Sequence, residues 1–154
     1  MNDIRFDDLE AIAAAVTDEW GPWGAELEVT QHLVDAYADL SGDDQWIHVD
    51  VERSRRESPY GGPIAHGFLT LSVLPRLDIP RTRLTGYGSA VNYGVDSLRF
   101  IAPVPVGASI HGRSRLLGAE PKGAGVLVTT ELQAAVVDAD RPALVYRGLA
   151  LHLP

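Results

Sequence analysis

The run HGFLTLSVLPRL, residues 66–77, constrains this chain more than any other segment. Phe68, Leu69, Leu71, Val73, Leu74 and Leu77 leave it almost no polar side, and a helix that is apolar nearly all round is buried on most of its faces. Pro75 should kink or end it. The chain must therefore supply something that surrounds a helix. Residues 84–154 suit that task, since they hold no convincing helix and read as strands broken by turns: GYGSAVNYGVDSLRF, SIHGRSRLLG, VLVTTELQAAVV and ALVYRGLALHL. In the third of these, Val126, Val128, Thr130, Leu132, Ala134 and Val136 alternate onto one face. Gly123 and Asp140 fall in the turns.

The segments before the buried helix are shorter. FDDLEAIAAAV reads as a helix with Leu9, Ile12 and Val16 on one side, ended by WGPWG. AELEVT reads as a short strand. Thr30 is a good N-cap for QHLVDAYADL, with Leu33, Tyr37 and Leu40 on one stripe and Gly42 as the stop. WIHVD reads as extended, VERSRRES as a short polar helix or turn, and PYGGP as a loop. Helices first and long antiparallel strands later predict an α+β fold in which a curved sheet wraps one buried helix. At 154 residues the expectation is a single domain over 1–154. The exposed edge of such a sheet invites pairing with a second copy, so a homodimer is expected.

Charge and composition narrow the function classes. The net charge of −8 argues against a general nucleic-acid binder, whose affinity rests on neutralising phosphates. Fourteen of the 21 acids but only one of the 13 Lys and Arg precede Arg53, so an anionic small ligand would dock on the later part of the chain. No apolar run approaches twenty residues, so no membrane-spanning helix is expected. The acidic start MNDIRFDDLEAI does not read as a secretory signal. The absence of cysteine excludes disulfide and thiolate chemistry and fits a cytoplasmic protein. No Gly-rich phosphate loop or Ser nucleophile motif is present.

Two segments carry side chains suited to chemistry. Asp43 lies just past the Thr30 helix and His48 five residues on, close enough in sequence to face one cavity. An acid and an imidazole form a pair that can handle one water, one taking a proton from it and the other giving a proton to carbon. GGPIAHG then delivers the chain into the start of the buried helix, where the first N–H groups have no internal partner. Gly67 has no side chain to block a ligand oxygen, and an N–H there could polarise a carbonyl, a donor worth roughly 3 kcal/mol of barrier at comparable sites. Each residue also has a structural reading. Asp43 suits a Ser-Gly-Asp-Asp turn, His48 a hydrogen-bonded core histidine, His66 the orientation of the loop, Gly67 close packing, and Trp46 the core or a cavity wall. Arg53, Arg55 and Arg56 suit a solvated helix face. A metal reading competes as well: His48-x-Asp50 with His111 or His152 fits a two-His-one-carboxylate site, because residues 48 and 50 of a strand point the same way.

Taken together, SGDDQWIHVD, PYGGPIAHGFLTLSVLPRL and LRFIAPVPVGASI resemble the MaoC-like (R)-specific enoyl-CoA hydratases, and within them the NodN-like subgroup. The likeness runs from about Thr30 to Ile110. It implies a hot dog fold, a long central helix wrapped by a curved antiparallel sheet and paired as a dimer. It implies Asp43 and His48 as a catalytic dyad that activates water for syn addition to a trans-2-enoyl thioester, with the Gly67 N–H on the thioester oxygen. The pantetheine arm would enter along the dimer interface. No metal or bound cofactor would be needed, and coenzyme A would be part of the substrate. Gln45-Trp46 stands where many members have Asn-Pro, which alters the wall beside the dyad. Trp46, His66, Ser72 and Asn92 are the implied substrate-binding residues, with Ser72 one turn into the helix and Asn92 in the strand before LRF. Arg81 and Arg83 are candidates for the coenzyme A phosphates. The alternatives are a dehydratase acting on carrier-protein thioesters and a non-catalytic thioester-binding subunit on the same fold.

Overall fold

The computed structural model describes residues 3–154, so the first two residues of the expected domain lie outside it. A five-stranded antiparallel sheet dominates, in the order β2 (Leu27–Glu28), β5 (Ser109–Lys122), β6 (Gly125–Val136), β7 (Leu144–Leu153), β4 (Ser89–Phe100). A two-residue parallel pair, β1 (Ile4–Arg5) with β3 (Leu84–Thr85), ties the N-terminal segment to the link that enters β4. The four long strands are the four apolar, turn-bounded runs of the sequence. The hairpin between β5 and β6 turns at Gly123, whose φ of +59° is one that a side chain would strain. Register shifts at Leu116/Gly118, Asn92/Gly94 and Val95/Ser97 interrupt the ladders, and such irregularities let long strands coil.

The apolar run lies against this sheet. Leu69, Val73, Leu74, Leu77 and Ile79 join Ile110, Leu132, Ala134 and Leu144 in the main core. Gly112 passes directly beneath Ile79, where a Cβ would stand 2.5 Å from its Cδ1. The expected long central helix is instead a short rod in two pieces. α5 covers Gly67–Ser72, Val73 leaves it with ψ near 0°, and Leu74–Leu77 forms a 3₁₀ turn. Pro75 explains the break, since it has no N–H to continue the α ladder and its ring crowds the carbonyl four residues back.

The earlier helices follow local chemistry closely. In α2 (Gln31–Ser41) Thr30 Oγ1 accepts from Leu33 N at 3.2 Å, and Gly42 closes it in the left-handed conformation. The buried stripe is Val34 and Ala38, flanked by Leu33 and Tyr37, while Leu40 is 84 % exposed. Leu40 lies six residues beyond Val34, about 240° around the helix, and so leaves the stripe assigned to it. α1 (Leu9–Ala14) buries Ile12 but ends before Val16, which is exposed. WIHVD corrects a second expectation. Trp46–Val49 is a single helical turn, α3, not a strand, and Asp50 both ends it and caps α4 (Val51–Glu57) by accepting from Arg53 N at 3.0 Å. Distant groups hold the turn against the β preference of its residues: Gln31 Nε2 donates to the His48 carbonyl at 2.8 Å, and Ser54 Oγ donates to the Trp46 carbonyl at 3.0 Å. Among the described residues no helix is long and apolar enough to cross a membrane.

Candidate active site

Three elements bring the site together. The Gly42 turn places Asp43 beyond α2, α3 carries His48, and the extended segment Pro63–His66 leads into α5. That segment is pinned from both sides: Ile64 N donates to the Ile47 carbonyl at 3.0 Å, and Ala65 N to the Val104 carbonyl at 2.8 Å. Its carbonyl at Ile64 is thereby fixed against His48, whose Nδ1 lies 2.6 Å away. A carbonyl can only accept, so Nδ1 carries the proton and Nε2 keeps a free lone pair. His66 is oriented in the same manner through the other nitrogen. Its Nε2–H donates to the Asp43 carbonyl at 2.8 Å, which leaves a buried Nδ1 with no hydrogen-bond partner.

The two imidazoles stack, with ring centroids 3.8 Å apart, and the Tyr37 ring tilts onto His66 at 4.9 Å. Both histidines are buried, whereas Asp43 is exposed. One ligand-capable atom from each of Asp43, His48 and His66 lies within 4.8 Å of the others. Burial pushes the His48 pKa below its ordinary value, and the neighbouring His66 adds to that; the Ile64 carbonyl and the Asp43 carboxylate oppose it. His48 is therefore neutral near pH 7 and able to accept a proton.

Gly67 opens α5, so its N–H has no partner inside the helix. A Cβ there would stand 2.8 Å from the Phe100 ring, so the position has no room for a side chain. Beside it lies a groove of about 340 Å³, walled by Ile64, Thr70, Tyr60, Phe100 and Val104. The remaining candidates are more scattered. Trp46 is half-buried beneath the Arg53 guanidinium, 4.3 Å from its ring. Ser72 is exposed, donates to the Phe68 carbonyl at 2.7 Å, and does not line the groove. Asn92 lines a different, larger cleft together with Arg81 and Arg83. Arg53 and Arg55 pair with Glu57 and Glu52 on the outer face of α4. Among the described residues His48, Asp50 and His111 or His152 form no cluster: Asp50 caps α4, and His111 stacks on Trp23 at 3.8 Å. Sequence reading missed Tyr37, Phe100, Gln31 and the Ile64 carbonyl. All four stood in or beside segments singled out in the sequence, but none was assigned to the site.

Residues 22–137 match the MaoC-like domain. The 3-hydroxyacyl-thioester dehydratase Z of Mycobacterium tuberculosis is 39 % identical over 151 residues, 96 % of this chain and 97 % of that protein. Nodulation protein N of Rhizobium leguminosarum is 43 % identical over 129 residues, 81 % of this chain and 79 % of that one. Among solved structures, an R-hydratase from Pseudomonas aeruginosa superposes with a TM-score of 0.65 at 21 % identity, covering 88 % of this chain and 82 % of its own, which places the fold among the hot dog proteins.

Proposed function

Because the chain belongs to the MaoC-like dehydratase family, we propose that it reversibly adds water to a trans-2-enoyl-CoA thioester to give a (3R)-3-hydroxyacyl-CoA, acting as one domain with an Asp43–His48 dyad. The observation that carries this reading is the meeting of Asp43, His48 and His66 within 4.8 Å, next to the helix that Gly67 begins. The thioester oxygen binds the Gly67 N–H, which stabilises the enolate as charge moves onto that oxygen. His48 Nε2 takes a proton from water as the water oxygen bonds to C3. The Asp43 carboxylate accepts a hydrogen bond from the same water and orients it. The His48 imidazolium then gives its new proton to C2 from the same face, and the site is restored. His66 is a positioning residue, since its bond to the Asp43 carbonyl fixes where the carboxylate can reach. The dyad side chains and the Gly67 N–H supply this chemistry, with coenzyme A entering only as the carrier of the acyl group.

β4 supports a homodimer. It is a twelve-residue edge strand that exposes Val91, Tyr93, Val95 and Phe100, and Phe68 of α5 is exposed beside it. A long edge with an apolar surface is stable when a second copy pairs with it. The test is hydration of crotonyl-CoA and of longer enoyl-CoA esters, followed by loss of the enone absorbance and chiral analysis of the product. A (3R) product supports the reading. Failure to hydrate short and long esters alike, with thioesters bound but unchanged, leaves the non-catalytic binding subunit in its place.

A further inference from the structure

The turn that presents His48 is held from outside. α3 is four residues long, and its Trp46, Ile47, His48 and Val49 are all mediocre helix formers. One helical turn fixes several residues for very few internal bonds, so it is unfavourable by itself, and Gln45 adds no side-chain cap. Its first three carbonyls nevertheless each have a partner from a different element. The Trp46 carbonyl accepts from Ser54 Oγ of α4 at 3.0 Å, the Ile47 carbonyl from Ile64 N at 3.0 Å, and the His48 carbonyl from Gln31 Nε2 of α2 at 2.8 Å. The Ile64 bond is backbone to backbone, whereas the other two come from side chains that substitution can remove. Ser54 is fully buried. Gln31 Nε2 also donates to Asp35 Oδ1 at 2.8 Å, so both amide hydrogens are committed and the nitrogen end of the amide is fixed towards His48. Neither side chain lines the Gly67 groove or belongs to the cluster of Asp43, His48 and His66.

We propose that Gln31 and Ser54 are positioning residues for the hydration: they hold the backbone of α3 in the turn that keeps His48 beside Asp43, and so set the rate without touching the substrate. The effect on rate rests on the hydratase reading above; the placement of His48 does not. The competing backbone is the extended run that the residue types favour. Side chains of a strand alternate between opposite faces, whereas those of a helix advance by about 100° per residue, so unwinding the turn re-aims the imidazole. His48 Nδ1, 2.6 Å from the Ile64 carbonyl in the turn, would leave it, and Nε2 would no longer meet the water shared with Asp43. The groups assigned to the thioester lie on other elements, Gly67 on α5 and the groove along Phe100 and Val104. Loss of a clamp therefore lowers the fraction of molecules with a working dyad while the grip on the substrate persists, and kcat falls at constant KM.

The experiment compares wild type with Gln31→Leu, Ser54→Ala and the double variant in two measurements. The first is kcat and KM for crotonyl-CoA hydration. The turn has little stability of its own to draw on, so each single variant should lose about tenfold in kcat and the double variant about a hundredfold, with KM within about twofold of wild type. Gln31→Glu, equal in size but without the N–H, should lose as much as Gln31→Leu. The second is long-range nitrogen–proton NMR of the five histidines without substrate, with the His48 signal identified by its absence in His48→Gln. In wild type His48 should show the Nδ1–H tautomer. In the variants it should move towards the Nε2–H form that predominates in a free imidazole side chain, while His111 and His152, on β5 and β7, keep their signals. Unchanged kcat in the double variant, an unchanged His48 tautomer in both single variants, or a loss carried by KM overturns the proposal. The expected His48 change in a protein that hydrates no enoyl thioester upholds the clamp and removes the hydratase reading alone.

Discussion

Two clusters of buried ionisable groups sit in this chain, and they are built to opposite ends. At the centre of the sheet the Glu131 carboxylate, 6 % exposed, is gripped from both sides by Arg115 Nε at 2.7 Å and Arg147 at 3.1 Å, and Arg115 also donates to the Asp18 carbonyl. Burial alone would raise the Glu131 pKa, but the two guanidinium groups outweigh it and hold it below the usual carboxylate value. At the start of α5, by contrast, backbone carbonyls hold His48 and His66 by one nitrogen each. The other nitrogen of each ring is left for something else, and the His66 Nδ1 is buried without a partner. The Glu131 carboxylate has both oxygens paired and fixes a sheet, although Arg147 Nε stays without a partner, whereas the histidine cluster keeps a ring nitrogen available for a ligand.

Substitutions should separate the two clusters cleanly. The largest effect is expected from Asp43→Asn, which should lower kcat for enoyl-thioester hydration by about a hundredfold or more while thermal stability stays near wild type, because Asp43 is exposed. Glu131→Ala should do the reverse. It strands two arginines and should cost about 2–3 kcal/mol in denaturant unfolding, below the range for a fully buried triad because the Arg147 side chain is 42 % exposed. Its turnover per folded molecule should be unchanged. Gly67→Ala falls between these cases. The added methyl meets the Phe100 ring, which should cost about 1–3 kcal/mol of stability, and turnover should fall as well because the thioester donor shifts.

Acidity sharpens the contrast further. His48 must be neutral to act, and its pKa lies below the ordinary 6.5, so the acid limb of kcat/KM should fall below pH 6.5. In His66→Asn the neighbouring imidazole no longer lowers that pKa, and the limb should move up. The stability linkage has the same direction. The unfolded chain binds the extra proton first, so the stability associated with neutral His48 is present above about pH 6.5 and is lost as the pH falls. Glu131 loses its contribution only in more acid solution, as the pH falls from its unfolded 4.5 through the lower folded value. The smallest expected effect is that of a chelator, which should leave the rate unchanged. Loss of activity to chelation, restored by one metal, would turn the Asp43, His48 and His66 cluster into a metal centre.

How far the sequence disclosed all this depends on whether the cause was local. Thr30 and Gly42 mark the ends of α2 because cap chemistry acts within a few residues. The four long strands were legible from alternation and turns. WIHVD was not, because a single turn of β-branched and aromatic residues persists only under Gln31 and Ser54, which reach it from α2 and α4. The length of the central helix was misjudged because apolar density measures burial, not helical continuity, and Pro75 decided the latter. In the site, Asp43, His48, His66 and Gly67 stood out through spacing and resemblance. Tyr37, Phe100 and the Ile64 carbonyl did not, because a ring packed from another element, or a backbone oxygen, carries no signature in its own residue type. Ser72 and Asn92 stand apart from the three-residue cluster, the first exposed and bonded to the Phe68 carbonyl, the second on the wall of a separate cleft.

The central claim is that Asp43 and His48 act on one water while the Glu131 cluster only holds the sheet. The most direct test is a side-by-side measurement of crotonyl-CoA hydration per folded molecule in His48→Gln, Asp43→Asn and Glu131→Ala. The account predicts that the first two lose nearly all turnover per folded molecule and that the third loses stability at intact turnover. Turnover near wild type in either His48→Gln or Asp43→Asn would contradict it.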